Sequence, residues 1–231
     1  MYKKVKKLSY IVFIAIAVLV SSCATTGTPR EKEAEAQGIV DRARVTFGEF
    51  MRDKQYSWLH AHLKDAKGLL IYPQVIKGGF IVGGAGGTGV LVVRDSKTGD
   101  WSQPSFYTLG AVTLGLQIGG EASEVVVMAM SRKAIDSLLT SSVKLGADAS
   151  VALGPVGMGA KGNVTADFIS FAKSKGLYAG LNLEGSVVDV RDSLNNAYYG
   201  GAASPVDIVI KGNVSNPGSA GLRAELKKAV K

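Results

Sequence analysis

The stretch Gly78-Gly79-Phe80-Ile81-Val82-Gly83-Gly84-Ala85-Gly86-Gly87-Thr88-Gly89-Val90-Leu91-Val92-Val93 decides how the rest of the chain reads. Gly84 to Gly89 carries the G-x-G-x-x-G spacing of dinucleotide sites. That chemistry needs a strand before the glycines and a helix after them, so that the helix N-terminus faces the pyrophosphate. Here Val90 to Val93 follows, β-branched and strand-like. Two strands flanking a glycine-rich turn is the better reading, with the glycines permitting a tight reversal and close backbone approach.

Antiparallel patterning extends outward from this segment. Leu69-Leu70-Ile71-Tyr72 is a strand that should end at Pro73, and Ser96 to Asp100 is a hairpin-type connection. Phe106 to Ile118 and Val125 to Met130 are further strands, the second buried on both faces because it does not alternate. Ser131 is placed to cap a helix running to about residue 142, with Ala134, Ile135, Leu138 and Leu139 inward. Residues 148–154, 164–173 and 177–185 read as strands, the last alternating Leu177, Ala179, Leu181, Leu183 against polar or small neighbours. Before the sheet, helices fit residues 31–54, with Val40, Ala43, Phe47, Phe50 and Met51 on one face, and residues 56–65 around Trp58, Leu59 and Leu63. A short basic amphipathic helix fits residues 219–230. The expected fold class is α+β: a mainly antiparallel β-sheet or barrel-like core with an N-terminal helix pair, one middle helix and a short C-terminal helix.

Little in the chain offers catalytic chemistry. Gly154 to Lys161 approaches a phosphate-binding loop, but Ala160 separates Gly159 from Lys161 and Gly162 stands where Ser or Thr is needed, so a turn is expected. His60 and His62 are the only histidines, two apart on a helical segment where they point to different faces, and read as surface residues rather than metal ligands. With one cysteine and two histidines, nucleophile-and-base arrangements have little material. The reading is a non-enzyme with no cofactor and no metal.

The first residues point to export. Lys3, Lys4, Lys6 and Lys7 precede an unbroken apolar run from Ile11 to Val20, and Leu19-Val20-Ser21-Ser22-Cys23 follows. These are the parts of a secretory signal, and the run is about half the roughly 20 residues of a spanning helix. Leu-Val-Ser-Ser-Cys resembles the lipobox of bacterial lipoproteins, which implies cleavage after Ser22 and acylation of Cys23, the only cysteine. Residues 24–30 then form a tether, and Ala24, in place of the aspartate that commonly retains lipoproteins at the inner membrane, points to the outer membrane of a two-membrane bacterium. The formal charge of +8 includes the four signal lysines. Their removal leaves 23 Lys and Arg against 19 Asp and Glu, about +4, which does not call for nucleic acid and suits weak attraction to anionic lipid.

Several segments, in order, resemble the SYLF domain, a lipid-binding domain of bacterial lipoproteins and eukaryotic adaptors. They are Ala66 to Pro73, Gly78 to Gly84 with Gly86, Gly87 and Gly89, Trp101 to Tyr107, Gly115 to Gly120, Gly154 to Gly157, Ser174 to Gly180 and Asn196 to Gly200. The resemblance covers about residues 38–210. It divides the chain into a signal peptide (1–22), a lipidated tether (23–30), a SYLF-like domain (31–212) and a C-terminal tail helix (213–231). It implies binding of membrane phospholipids, anionic ones favoured, in a cell-envelope lipoprotein. In some eukaryotic members an N-terminal amphipathic helix contributes to membrane contact. By position alone this makes Arg42, Arg44, Arg52 and Lys54 the headgroup candidates, although Glu31, Glu33, Glu35, Asp41, Glu49 and Asp53 dilute their charge. Actin binding, known for some eukaryotic members, has no evident target for an exported bacterial protein and is not carried over. The alternative is a structural lipoprotein that docks a protein partner of the envelope, with Arg223, Lys227 and Lys228 on its surface.

Overall fold

The computed structural model describes residues 27–79, 82–114, 119–159, 164–174, 177–178 and 182–230. The signal segment, Cys23 and residues 24–26 of the tether lie outside the described residues.

Helix α1 spans Pro29–Arg52. Thr28 and Glu31 close a capping box at its start, and Pro29 occupies the first turn, where a missing N–H costs nothing. A 3-10 turn, Lys54–Tyr56, leads into the short helix α2, Ser57–His62. Four long strands follow: β1 (Gly68–Gly79), β2 (Val82–Val93), β3 (Ser105–Leu114) and β4 (Gly119–Ala129). Helix α3 (Arg132–Leu138) is capped by the Ser131 hydroxyl, which accepts from the Ala134 N–H. It is followed by β5 (Ser142–Lys144), β6 (Val151–Leu153), β7 (Phe168–Ser174), β8 (Leu177–Tyr178) and β9 (Val187–Val190). Helix α4 (Asp192–Tyr199), a π-helical turn (Val206–Lys211) and helix α5 (Ala220–Ala229) complete the described chain.

All nine strands join one sheet in the order β5-β9-β3-β2-β1-β4-β7-β6, with β8 on β7. Every pairing is antiparallel except β6 with β7. β5 and β6 stand at opposite ends of this order, yet only residues 145–150 separate them. Those residues reach at most about 25 Å, whereas eight flat strands would spread over roughly 34 Å. The sheet must therefore curl, and it forms a half-barrel.

The sheet is buried on both faces over its lower half. On one face Leu69, Ile71, Val90, Val92, Val126 and Met128 pack against α1, α2, α4 and α5. On the other, Leu70, Tyr72, Leu91, Tyr107, Val125 and Val127 pack against α3, Val143, Val188 and the π-helical turn. Burial on both faces explains the unbroken apolar runs of β1, β2 and β4. The C-terminal helix is part of this core through Leu222 and Leu226.

Two expectations about the glycine segment change. β1 does not end at Pro73 but continues to Gly79, and Gly83 to Gly89 is not a turn but the interior of β2, paired with β3 throughout and with β1 from Gly83 to Gly86. The reversal lies between Gly79 and Val82. Both changes have one cause. Against β2, Ile71 pairs with Val90 and Ile76 with Gly86; against β4, Tyr72 pairs with Val125 and Val75 with Ser123. β1 thus carries one extra residue relative to each neighbour, a bulge at Pro73-Gln74. A bulge leaves a residue outside the ladder, which is where a proline without an N–H is tolerated in a central strand. The bulged backbone leans onto β2: a Cβ on Gly87 would overlap the Gln74 carbonyl oxygen, and one on Gly89 the Ile71 carbonyl oxygen.

Smaller differences follow the same logic of tertiary pairing. Helix α3 stops at Leu138 rather than near 142, because Ser142–Lys144 pairs with β9. The strand expected over 177–185 is confined, among the described residues, to Leu177–Tyr178, and Leu183 buries itself from a loop. The pairs of strands expected over 148–154 and 164–173 are present in shortened form. β9, α4 and the π-helical turn were not expected.

Substituting Gly87 by Ala should destabilise the protein by at least about 1–3 kcal/mol, the usual cost of overpacking. Gly84→Ala places its Cβ 3.6 Å from the Ala111 carbonyl oxygen, an ordinary contact, and should be neutral or slightly stabilising. Urea denaturation of the two variants checks this; equal effects would refute the bulge account.

A candidate cationic binding cleft

The turn after β2 is built from short-range polar contacts. The Asp95 carboxylate accepts from the backbone N–H of Lys97 at 2.8 Å and of Thr98 at 2.7 Å. Those bonds hold it below the usual carboxylate range. Gly99 has φ +75°, and Arg94 bridges to Trp101 across the turn's base. This arrangement fixes the Arg94 guanidinium. Its Nη1 donates to the Lys64 carbonyl oxygen at 2.6 Å and its Nε to the Gly99 carbonyl oxygen at 3.3 Å. From α5, Arg223 Nε donates to the Trp101 carbonyl oxygen at 2.9 Å, and Lys227 pairs with Asp100 at 2.7 Å.

Against this turn stand the N-terminus of α3 and the π-helical turn, which ends at Gly212 in the left-handed region, φ 63°. Together they enclose an open cleft of ≈ 560 Å³. Five cations line it: Lys67, Arg94, Arg132, Lys211 and Arg223. Two carboxylates do so, Asp95 and Asp100, and both are already engaged. Arg132 and Lys211 pair with Asp136 and Asp207 on the same helices, at 2.8 and 3.1 Å, in exposed contacts. The remaining wall is mixed, with the aliphatic Val93, Ile135, Ile208 and Val214 beside Trp101 and the polar Ser96, Ser102, Gln103 and Ser215.

The sequence candidates lie elsewhere and do not converge. Arg42 lines a shallow pocket beside Glu49, Gln74, Glu124 and Lys173. Arg44 leans over Gly221 of α5, and Arg52 lies beside Gly48 near Glu225. Lys54 is in the 3-10 turn beyond the helix. All four are exposed, and none has an ion pair among the described residues. The acids expected to dilute them are partly turned inward: Glu35 pairs with Arg191 at 3.0 Å, and Glu49 and Asp53 with Lys173 at 3.5 and 3.9 Å. Of the alternative docking set, Arg223 and Lys227 are committed to Trp101 and Asp100.

The histidines are structural participants. His60 Nε2 is 2.8 Å from the Phe50 carbonyl oxygen, while His62 stacks on Trp58 and lies 2.8 Å from its carbonyl oxygen. The Gly154–Gly159 segment is a turn, with Gly157 and Gly159 at positive φ and Gly154 pressed against the Phe171 ring. Sequence reading missed Lys67, Arg94, Arg132 and Lys211 because nothing local marks them; only the fold gathers positions so far apart.

Residues 110–229 match the model of the family described as Ysc84, Las17-binding protein actin regulator. An SH3 domain-containing protein of Schizosaccharomyces pombe is 36% identical over 165 residues, covering 68% of this chain and 38% of its own length. Protein YSC84 of Saccharomyces cerevisiae is 36% identical over 166 residues, 68% of this chain and 35% of that protein. SH3 domain-containing YSC84-like protein 1 of Bos taurus is 34% identical over 160 residues, 67% of this chain and 46% of that protein. The chain thus aligns with less than half the length of each of these relatives.

One carboxyl beside α1 gives a check on this geometry. Glu124, on β4, accepts from the Thr46 hydroxyl at 2.6 Å. Burial raises its pKa above the usual value, with the nearby Glu49 adding to the shift. Below its unfolded pKa such a carboxyl is protonated in both states and costs nothing; the cost grows as pH rises through the folded pKa. Glu124→Gln should therefore match wild-type stability at pH 4 and exceed it at pH 7. Urea midpoints at the two pH values test this, and an equal loss at both would contradict it.

Proposed function

This chain belongs to the Ysc84 family, the SYLF domain, and from that premise we propose that it is a non-catalytic cell-envelope lipoprotein whose domain binds phospholipid headgroups. The observation that carries the reading is the sorting of charge on α1. Its acids Glu35 and Glu49 pair with Arg191 and Lys173 of the body of the domain, while Arg42, Arg44 and Arg52, with Lys54 in the turn beyond the helix, are exposed and free of ion pairs among the described residues; Glu33 and Asp41 stay exposed beside them. Cations disposed this way suit a planar anionic surface, where each is worth about 1 kcal/mol and no convergent pocket is required. Anchoring is assigned to Cys23, acylated at the lipobox-like Leu19 to Cys23. Diacylation holds a protein at a membrane far better than one chain, so the domain's own contact serves selectivity.

A second reading is a protein-docking module. The family's description as a Las17-binding protein actin regulator favours it. The counterpart here would be a protein of the envelope, captured by crosslinking in intact cells as one dominant adduct.

The soluble domain, residues 24–231, should float with anionic vesicles at low salt and be released as salt rises. Arg42 faces away from the seam where Arg44 and Arg52 lie, so of Arg42, Arg44, Arg52 and Lys54 one membrane engages about two. Combined Arg42→Gln, Arg44→Gln, Arg52→Gln and Lys54→Gln should weaken vesicle binding by about 2 kcal/mol, roughly 30-fold. Absence of binding to any anionic vesicle would sink the lipid reading. In cells, Cys23→Ser should move the protein out of the membrane fraction, and intact-mass measurement should show the loss of acyl chains; unchanged fractionation and mass would remove the anchor.

A further inference from the structure

The cleft between the β2–β3 turn, the π-helical turn and α5 has a composition that a flat headgroup contact does not use. Lys67, Arg94 and Arg223 have no carboxylate partner among the described residues. The two arginines are held by backbone carbonyls, which orient a guanidinium without cancelling its charge. Their conformational cost is already met, so an incoming anion gains the full charge-assisted bond. Arg132 and Lys211 stand at the rim in exposed pairs with Asp136 and Asp207, which solvent screens and which are readily exchanged for a stronger anion. Three cations without an ion pair and two more at the rim outnumber the one unpaired carboxylate, Asp95, and match a phosphate better than a single carboxylate.

The space is larger than a phosphate needs. At ≈ 560 Å³ it falls in the range that holds a drug-sized molecule. Ile208 and Val209 are buried beneath it, and Ile210, which also lines it, is 43% exposed. An exposed isoleucine at the edge of a cationic cleft is matched by a ligand with an apolar part next to its charge.

We propose that this cleft takes one phosphate-bearing amphiphile, its phosphate among Lys67, Arg94, Lys211 and Arg223 and its apolar part along Ile208–Ile210 and Val214. The proposal deepens the phospholipid reading and rests on it for the source of the ligand, a lipid headgroup rather than a free phosphate ester. It differs from that reading in place, since none of the four α1 cations lines the cleft.

Calorimetric titration of the natively purified full chain in uncharged detergent tests it, with dihexanoylphosphatidic acid and inorganic phosphate as separate probes. The lipid should bind at least about tenfold more tightly than phosphate. Lys67→Gln with Arg132→Gln and Lys211→Gln, all exposed positions, should weaken lipid binding about tenfold or more, the value of one charge-assisted bond. Ile210→Asp should weaken the lipid and spare phosphate. Equal affinity for the two probes would assign the cleft to free phosphate and overturn the amphiphile. Wild-type titration by both cleft variants would overturn the site. Vesicle flotation separates the two claims: binding there with a silent titration sinks the cleft alone, and a cleft titration without flotation sinks the surface reading alone.

Discussion

The structure depends on a close approach between two backbones. Pro73 cannot donate to a ladder, yet it stands in β1, a central strand that must pair on both sides. The chain resolves this with one extra residue at Pro73-Gln74, and the displaced carbonyls of Ile71 and Gln74 then lie against β2 where any side chain would collide. Gly87 and Gly89 are the answer to that proline. With them in place, β1 keeps both neighbours, the sheet continues to its far edges, and residues 145–150 draw those edges into a half-barrel. A curled sheet has an inner and an outer face, and the two clusters that fill them fix where α1, α5 and the π-helical turn must sit.

Much of this was legible from local pattern. The unbroken runs at Leu69 to Tyr72 and Val125 to Met128 announce burial on both faces, and α1 and α5 follow from helical spacing of their apolar residues. What escaped is what local pattern does not encode. Pro73 reads as a stop because the bulge that accommodates it is a relation among three strands. Gly83 to Gly89 reads as a turn because its need for glycine comes from β1, not from its own dihedrals; none of Gly84, Gly86, Gly87 or Gly89 has a positive φ. α4 is short, and only Leu194, Asn195 and Tyr198 of it are fully buried. It is held by a buried side chain, Asn195, whose Oδ1 accepts from the Phe106 N–H at 2.8 Å.

The candidate site divides along the same line. Arg42, Arg44 and Arg52 were found because they share a helix, and sharing a helix is also why they diverge. Lys67 and Arg223 were brought to one cleft by strands and helices far apart in sequence. Net charge was a poor guide to either. Near +4 for the chain without Lys3, Lys4, Lys6 and Lys7, it averages over acids that are paired inward and bases that are not.

Chain geometry joins the proposed anchor to these surfaces. Five residues, 24–28, separate Cys23 from Pro29, a reach of at most about 20 Å, while α1 with 24 residues is about 36 Å long. If α1 stood upright from an anchor at Cys23, Arg52 and Lys54 would be far outside the roughly 8–10 Å over which headgroup charge is felt. The proposed contact by these cations therefore requires the helix to lie along the bilayer. Arg44 leans over Gly221 and Arg52 lies near Glu225, so the face that would lie down is the seam between α1 and α5. α5 also carries Arg223 into the cleft. Positions two apart on a helix point to different faces, so Arg223 leaves α5 on another side than Gly221. The proposed surface contact and the proposed cleft are therefore separate engagements of one domain, and with the anchor limiting its distance even weak affinity at either adds to the hold.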